Sequence, residues 1–421
     1  MTHLNIDVHH VTRIEGHGNI IVNAKDGAIE EVRWEVPEAP RFFEAMMRGL
    51  HYHDVNYVVP RICGICSLAH NTASIEATEA AFGIQPSEQT LLLRKLLFHA
   101  ETLQSHVLHA CFLVAPDLLN VGSVIPLAES HTEVVVRALR LKKFSNDLAD
   151  VIAGRKIHPL TTVTGGFTKF PDESALKAIR PRLLEAMEDL DRMVELFKSL
   201  EMPDFVRETE YIALKRPDEY AFIGGDIAST DTGSTPPENY LEITNEYCVP
   251  HSTAKFTRHN RDSYMVGAIA RFNLNHSQLL PKAAETAVQL GLTAPCHNPF
   301  MNTMIQMVEC VHVAEDALAI LDHLIARGVK NEKPIEKVQA GRGVGVVEAP
   351  RGLLIHDYTF DENGYLVEAN CVIPTNQNHM NIQKDFEALL PGIVNRPEGE
   401  VKLLLEMLVR AYDPCVSCST H

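Results

Sequence analysis

Residues 60–70 read Pro60-Arg61-Ile62-Cys63-Gly64-Ile65-Cys66-Ser67-Leu68-Ala69-His70, and residues 413–421 read Asp413-Pro414-Cys415-Val416-Ser417-Cys418-Ser419-Thr420-His421. Two C-x-x-C pairs thus stand nearly a whole chain apart. Brought face to face, they place four thiolates in a small volume. Such charges share a buried site only when a soft cation neutralises them and holds their protons off. The pairs therefore read as one metal site that the fold closes. Structural zinc sites also use two such pairs, usually about 15–20 residues apart in a small module. Separate redox-active pairs are a further reading, because the C-x-x-C turn lowers thiol pKa. The flanking residues favour a reactive centre. Arg61, His70, Asp413, Pro414 and His421 crowd the pairs, and a metal that does chemistry needs such polar surroundings to tune its ligands.

The composition narrows the class. The chain has 421 residues, is 45% hydrophobic and carries a formal net charge of -17, which suits a soluble globular protein and argues against nucleic acid or an anionic membrane as partner. Nine cysteines are too few for a disulfide scaffold in so long a chain, and their odd number cannot pair fully within it, so a reducing, cytoplasmic setting is expected. The N-terminal residues show no basic-then-apolar leader. The most apolar long stretch, 111–128, contains Pro116, Asp117, Asn120 and Pro126, so no transmembrane segment is expected.

Length alone would suit two or three domains, but no low-complexity linker is visible, so a single domain over 1–421 is expected, with hydrophobic periodicity around the cysteines predicting a mainly helical α+β fold. Its centre would be a bundle of long helices with small sheets at the periphery, the metal site being closed by the N- and C-terminal pairs. Residues 4–36 alternate apolar and polar side chains around Asp26-Gly27, which predicts a hairpin, and a short helix is expected over 38–52. Three- and four-residue apolar spacing predicts helices over 87–119, 134–154, 173–200, 278–290, 298–327, 380–390 and 398–409. Ser87 with Thr90 gives part of an N-cap. His99, His106 and His109 fall along one side of the first of these helices, and read as core or network histidines rather than ligands. Residues 203–250 read as short strands and long loops. Gly341-Arg342-Gly343-Val344-Gly345 lacks the spacing of a phosphate loop. It reads instead as a strand whose glycines let the backbone pass close to something, followed by strands at 352–358 and 365–373. Cys310 reads as a small buried hydrophobe.

Over essentially its whole length the sequence resembles the catalytic large subunit of [NiFe]-hydrogenases. The matching motifs are Arg13-Ile14-Glu15-Gly16-His17, Arg61-Ile62-Cys63-Gly64-Ile65-Cys66 with His70, Glu348-Ala349-Pro350-Arg351-Gly352, Val372-Ile373-Pro374-Thr375, and Asp413-Pro414-Cys415 with Cys418 and His421. Their form and the modest length are most similar to the cytoplasmic multi-subunit branch, of the F420-non-reducing type. The resemblance implies heterolytic cleavage of H2. It implies that Cys63, Cys66, Cys415 and Cys418 bind nickel, with Cys66 and Cys418 bridging to an iron that carries carbon monoxide and cyanide. Arg351, held by Pro350 and paired with Asp413, would lie over the metals. Thr375 would donate to a ligand on iron, His70 to a bridging sulfur, and Glu15 would relay protons from Cys415. Glu44 and His421, with the backbone at Cys371, would hold magnesium. The remaining cysteines, at 111, 248, 296, 310 and 371, lack iron–sulfur spacing, so an iron–sulfur small subunit is implied, and the resemblance adds further electron-transfer subunits. The resemblance also implies a maturation protease that removes a C-terminal extension after nickel insertion. Two other classes stand beside this reading. One is a structural zinc protein. The other is a metal-free quinone-module relative, although such relatives lack the four cysteines.

Overall fold

Alternating side chains at the start of the chain build the first sheet. In the structure, a computed structural model describing residues 3–421, β1 (His3–Val8), β2 (Asn19–Lys25) and β3 (Ala28–Glu35) pair antiparallel in that order. The expected hairpin closes at Asp26-Gly27, both at positive φ (50° and 82°), the conformation that suits a tight turn between twisted strands. Trp34 is fully buried and donates its Nε1–H to His379 Nδ1 at 3.0 Å, which pins the sheet to the C-terminal half. Of the helix expected over 38–52, only α1 (Phe43–Met47) forms, because the chain turns away at Gly49, φ 82°. A separate short helix runs Tyr52–Val58.

The long periodic segments fold as helices: α2 (Ser67–Phe82), α3 (Glu88–Leu108), α4 (Thr132–Ala153), α5 (Glu173–Lys198) and α6 (Asn302–Arg327). Helices α3 and α5 each pack on both α4 and α6, so these four close into the central bundle that the spacing predicted. Ser87 caps α3 by accepting the Thr90 N–H at 3.1 Å, and Gly154, φ 68°, ends α4. The helix expected over 87–119 widens into a π-helical segment at His109–Val114 before a last turn, Ala115–Leu118. Pro116 has no N–H to continue the regular ladder, and the Leu113 carbonyl turns aside to accept from Arg13 at 2.7 Å.

A second antiparallel sheet lies on α2. It comprises β4 (Gly341–Ala349), β5 (Gly352–Phe360) and β6 (Leu366–Val372), in that order. Its glycines make the expected close approach. A Cβ at Gly343 would lie 2.1 Å from the Ala77 carbonyl oxygen, and one at Gly345 would lie 2.1 Å from that of Ala73. Ala69, Ala73, Ala77 and Ala81 form the matching small-residue stripe on α2, all buried. Gly345→Ala is therefore expected to push α2 off the sheet and to cost roughly 1–3 kcal/mol. Thermal unfolding would show it as a lower midpoint, and an unchanged midpoint would refute the close-packing account.

Within 203–250 the strands are short: Glu210–Lys215, Asp226–Ser229 and Gly233–Thr235 share a sheet that Tyr264–Met265 joins in parallel, and Asn245–Tyr247 pairs with Phe256–Arg258. The helix expected over 278–290 begins at Pro281 and runs to Gln289. The chain ends in α7 (Pro374–Ile393), α8 (Glu398–Ala411) and the single turn α9 (Val416–Ser419). Helix α7 starts six residues before its predicted boundary at 380, with Pro374 at a first-turn position that its missing N–H suits. Most buried apolar residues, from Ile6 to Cys418, form one continuous cluster, and a smaller second one gathers Ile212, Leu214, Val346, Leu353 and Ile355 where two sheets meet. Among the described residues no helix is long and apolar enough to cross a membrane. The mixture of a helical bundle with small peripheral sheets is the fold class that the sequence predicted.

Candidate metal centre

The first cysteine pair is built by two helical turns meeting at an angle. A 3-10 turn, Val59–Ile62, delivers Cys63 in an extended conformation, and Cys66 then stands at the head of α2. Cys63 Sγ accepts the N–H groups of Ile65 at 3.3 Å and Cys66 at 3.2 Å, contacts that favour a thiolate over a thiol. A hydrogen bond from Cys66 and the nearby Arg351 charge lower the Cys63 pKa, while the same Cys66 contact and burial raise Cys66 well above the ordinary thiol value. The second pair comes from the turn around α9. Its Cys415 N–H donates to Thr375 Oγ1 at 2.9 Å, and the Val416 N–H donates to the Glu15 carbonyl at 2.9 Å.

The two pairs meet. Cys63 Sγ lies 3.6 Å from Cys415 Sγ, and Cys66 Sγ lies 3.9 Å from Cys418 Sγ. All four sulfurs fall within 4.8 Å of one another and all four residues are buried. Cys415 Sγ and Cys418 Sγ are also in direct contact. The donor set is soft and deeply buried, which is the chemistry of a thiolate-bound transition metal.

The motif residues gather around this cluster. Arg351 is buried; its Nε donates to the Asp413 carbonyl at 2.8 Å, its Nη2 to Asp413 Oδ1 at 2.8 Å, and its Nη1 to Ser105 Oγ at 3.3 Å. Burial alone would lower its pKa, but Asp413 and the thiols outweigh that and raise it, so the guanidinium is a fixed charge and not a base. Asp413 Oδ2 also accepts from Gln306 Nε2 at 3.2 Å. Pro350 contributes its carbonyl, which accepts from Arg271 Nη2 at 3.0 Å. His70 Nδ1 meets His356 Nε2 at 3.1 Å. Glu15 does not pair with Arg13, which binds Asp117 instead. Its carboxylate takes the Ser417 N–H at 3.1 Å and a short contact with the Ser417 hydroxyl. Gly16, φ 80°, permits this approach, since a Cβ there would lie 2.7 Å from the Ser417 nitrogen.

Glu44, Cys371 and His421 also converge. The Cys371 N–H donates to Glu44 Oε1 at 2.7 Å, and His421 Nε2 lies 3.4 Å from the same oxygen. Burial would raise the Glu44 pKa, but His421, Lys255 and the Cys371 N–H hold it at about 2. His421 Nε2 is buried and faces Glu44, so the pair offers a carboxylate and an imidazole nitrogen to a hard cation. The histidines of α3 and of the π-helical segment after it are network residues, as expected. His99 meets Asp316 at 2.6 Å, His106 meets Glu309 at 2.7 Å, and His109 bonds Gln306 and the Arg410 carbonyl.

Two contributors escaped the sequence reading. Arg41 Nη2 donates to the Ile62 carbonyl at 2.7 Å and the Ser417 carbonyl at 2.5 Å, clamping the two cysteine segments together. Glu101 accepts the Leu68 N–H at 2.6 Å and the Ala69 N–H at 2.9 Å at the head of α2, and burial pushes its carboxyl up to about 8. Arg41 falls inside the helix expected over 38–52, whereas the helix starts only at Phe43, and a contact between distant segments leaves no mark in local spacing. Glu101 had one, because an acid four residues after Leu97 falls on the buried side of α3.

A family model described as nickel-dependent hydrogenase matches residues 41–136 and 229–421, more than half of the chain, and a HoxL-like model matches 5–39. The alpha chain of sulfhydrogenase 1 from Pyrococcus furiosus is 34% identical over 421 residues, covering 100% of this chain and 98% of that protein. The corresponding chain of the F420-non-reducing hydrogenase from Methanothermobacter thermautotrophicus is 31% identical, with 98% and 93% covered. Among solved structures, an NAD+-reducing [NiFe]-hydrogenase in the H2-reduced state matches with a TM-score of 0.88 and 27% identity over 99% of both chains. The [NiFeSe]-hydrogenase of Dm. baculatum shares the fold at a TM-score of 0.78 and 22% identity, over 100% of each chain.

Proposed function

Because this chain belongs to the nickel-dependent hydrogenase family as a large subunit, we propose that its single domain splits H2 reversibly and heterolytically and passes the electrons to an iron–sulfur partner subunit in the cytoplasm. The observation that carries the reading is the convergence of four buried sulfurs from opposite ends of the chain, within 4.8 Å of one another. Cys63, Cys66, Cys415 and Cys418 would hold nickel, and Cys66 and Cys418 would also hold an iron carrying carbon monoxide and cyanide. When bound, the metals would supply the Lewis acidity that polarises H2.

The protein's own groups have separable parts in this. Arg351, fixed by Asp413, places a permanent positive charge beside the sulfurs, where charge separates as H2 is split. Thr375 Oγ1 already accepts the Cys415 N–H, so its hydroxyl hydrogen is free to donate to a ligand on iron. Proton release would run from Cys415 to Glu15, whose carboxylate already contacts the Ser417 hydroxyl. Glu44 and His421, with the Cys371 carbonyl, would bind magnesium and latch the last turn, and a maturation protease would act before that turn folds in. The buried Cys111, Cys310 and Cys371 and the scattered Cys248 and Cys296 offer no cluster for electrons, which supports a separate carrier subunit.

Metal analysis of the purified protein, read together with its infrared spectrum, tests the reading. About one nickel and one iron per chain are expected, with magnesium and with carbon monoxide and cyanide stretches. Stoichiometric zinc without those bands would sink it. That outcome would favour a structural zinc protein.

A further inference from the structure

The buried polar contacts around the centre converge on one histidine outside the motifs. His356 lies on β5 and is fully buried. Its Nε2 meets His70 Nδ1 at 3.1 Å, and its Nδ1 meets the Tyr358 hydroxyl at 2.6 Å and lies 3.7 Å from Cys371 Sγ. Followed outward, these contacts close on the metal centre from both sides. In one direction, the His70 backbone N–H donates to the Cys66 carbonyl at 3.2 Å. In the other, the Cys371 N–H reaches Glu44, Glu44 faces His421, and His421 Nδ1 lies 3.1 Å from the Cys418 carbonyl. The path therefore begins and ends at Cys66 and Cys418, whose sulfurs are 3.9 Å apart.

We propose that His356 is a positioning residue: it fixes the tautomer of His70 and ties that ring to the Glu44–His421 latch. The proposal rests on the nickel–iron reading above. The two rings face nitrogen to nitrogen at 3.1 Å, a contact with room for one hydrogen, and the Tyr358 hydroxyl meets the other His356 nitrogen, so each imidazole carries a single N–H. The Tyr358 phenol keeps its proton at neutral pH and donates it to His356 Nδ1 across 2.6 Å. His356 then carries its hydrogen on Nε2 and donates to His70 Nδ1. His70 is left with its hydrogen on Nε2, the form that can donate to a thiolate. Without the tyrosine hydroxyl, the His356 hydrogen can move to Nδ1, toward Cys371. The His70 hydrogen then moves to Nδ1 as well, and the donor is lost.

Three variants of the metal-loaded enzyme test this, read by infrared spectroscopy with metal content and thermal unfolding. Tyr358→Phe removes only the hydroxyl, His356→Gln keeps an amide N–H near the Nε2 position, and His356→Met keeps no donor. Tyr358→Phe and His356→Met should retain nickel and iron while their carbon monoxide stretch shifts to lower wavenumber, because a thiolate that loses a donor pushes charge onto iron. His356→Gln should restore the parent position. Unshifted bands in Tyr358→Phe at full metal content overturn the proposal, as does a shift in His356→Gln equal to that in His356→Met. If His356→Met fails to load metals, Tyr358→Phe decides alone. Absence of these bands from the parent enzyme would instead overturn the nickel–iron reading itself.

Discussion

Cys66→Ser is expected to abolish hydrogen turnover and to strip nickel and iron together. Cys66 heads α2 with its sulfur 3.9 Å from Cys418 Sγ, and in the proposed nickel–iron reading it is a ligand shared between the metals. A hydroxyl stays protonated at neutral pH and is a hard donor, whereas the site is otherwise built of soft thiolates. Loss of an outer partner costs roughly 10–100-fold in metal affinity, and loss of a shared ligand should cost at least that. The change in packing is small, so the fold should survive. Cys111→Ser is the control, since Cys111 is also buried but belongs to no cluster. Metal content by mass spectrometry decides the matter. A Cys66→Ser protein with both metals at parental levels would show that Cys66 is not a ligand, and loss of nickel with retention of iron would show that it does not bridge.

How much of this was legible in the sequence depended on whether a residue's job leaves a periodic trace. The bundle helices were found because their apolar residues recur at helical spacing, and Ser87 and Gly154 mark ends chemically. The glycines of β4 were readable as a close approach, though not as an approach to α2 in particular. Helix α7 was cut short because Thr375, Asn376, Gln377, Asn378, His379 and Asn381 are buried yet polar. Their partners come from the far sheets and loops, Gln377 donating to the Leu353 carbonyl and the Asn378 oxygen accepting the Val266 N–H. A hydrophobicity pattern cannot see a face that is buried through hydrogen bonds. The same blindness hid Arg41 and His356, whose importance lies wholly in contacts between distant segments. The four cysteines escaped it because their spacing is itself the signal, and the resemblance of the flanking motifs supplied the roles that spacing could not.

Glu15→Gln is expected to leave the centre assembled while removing most of its hydrogen oxidation. Glu15 touches the C-terminal pair twice through the backbone, as its carbonyl accepts the Val416 N–H at 2.9 Å and its carboxylate accepts the Ser417 N–H at 3.1 Å. Glutamine preserves the first contact and, through its amide oxygen, the second. Nickel and iron content, infrared bands and the unfolding midpoint should therefore match the parent. The amide nitrogen cannot take and release a proton at these pH values, so a relay through this position stops. Positioned proton transfer contributes typically 10²–10⁴-fold, and hydrogen oxidation should fall by roughly 10²-fold or more on that scale. Isotope exchange between deuterium gas and water isolates the step, because it needs proton escape but no electron acceptor. Exchange at the parental rate in a variant with full metal content would mean that protons leave by another path. In that case Glu15 would be only the strut that holds Ser417 against the N-terminal loop.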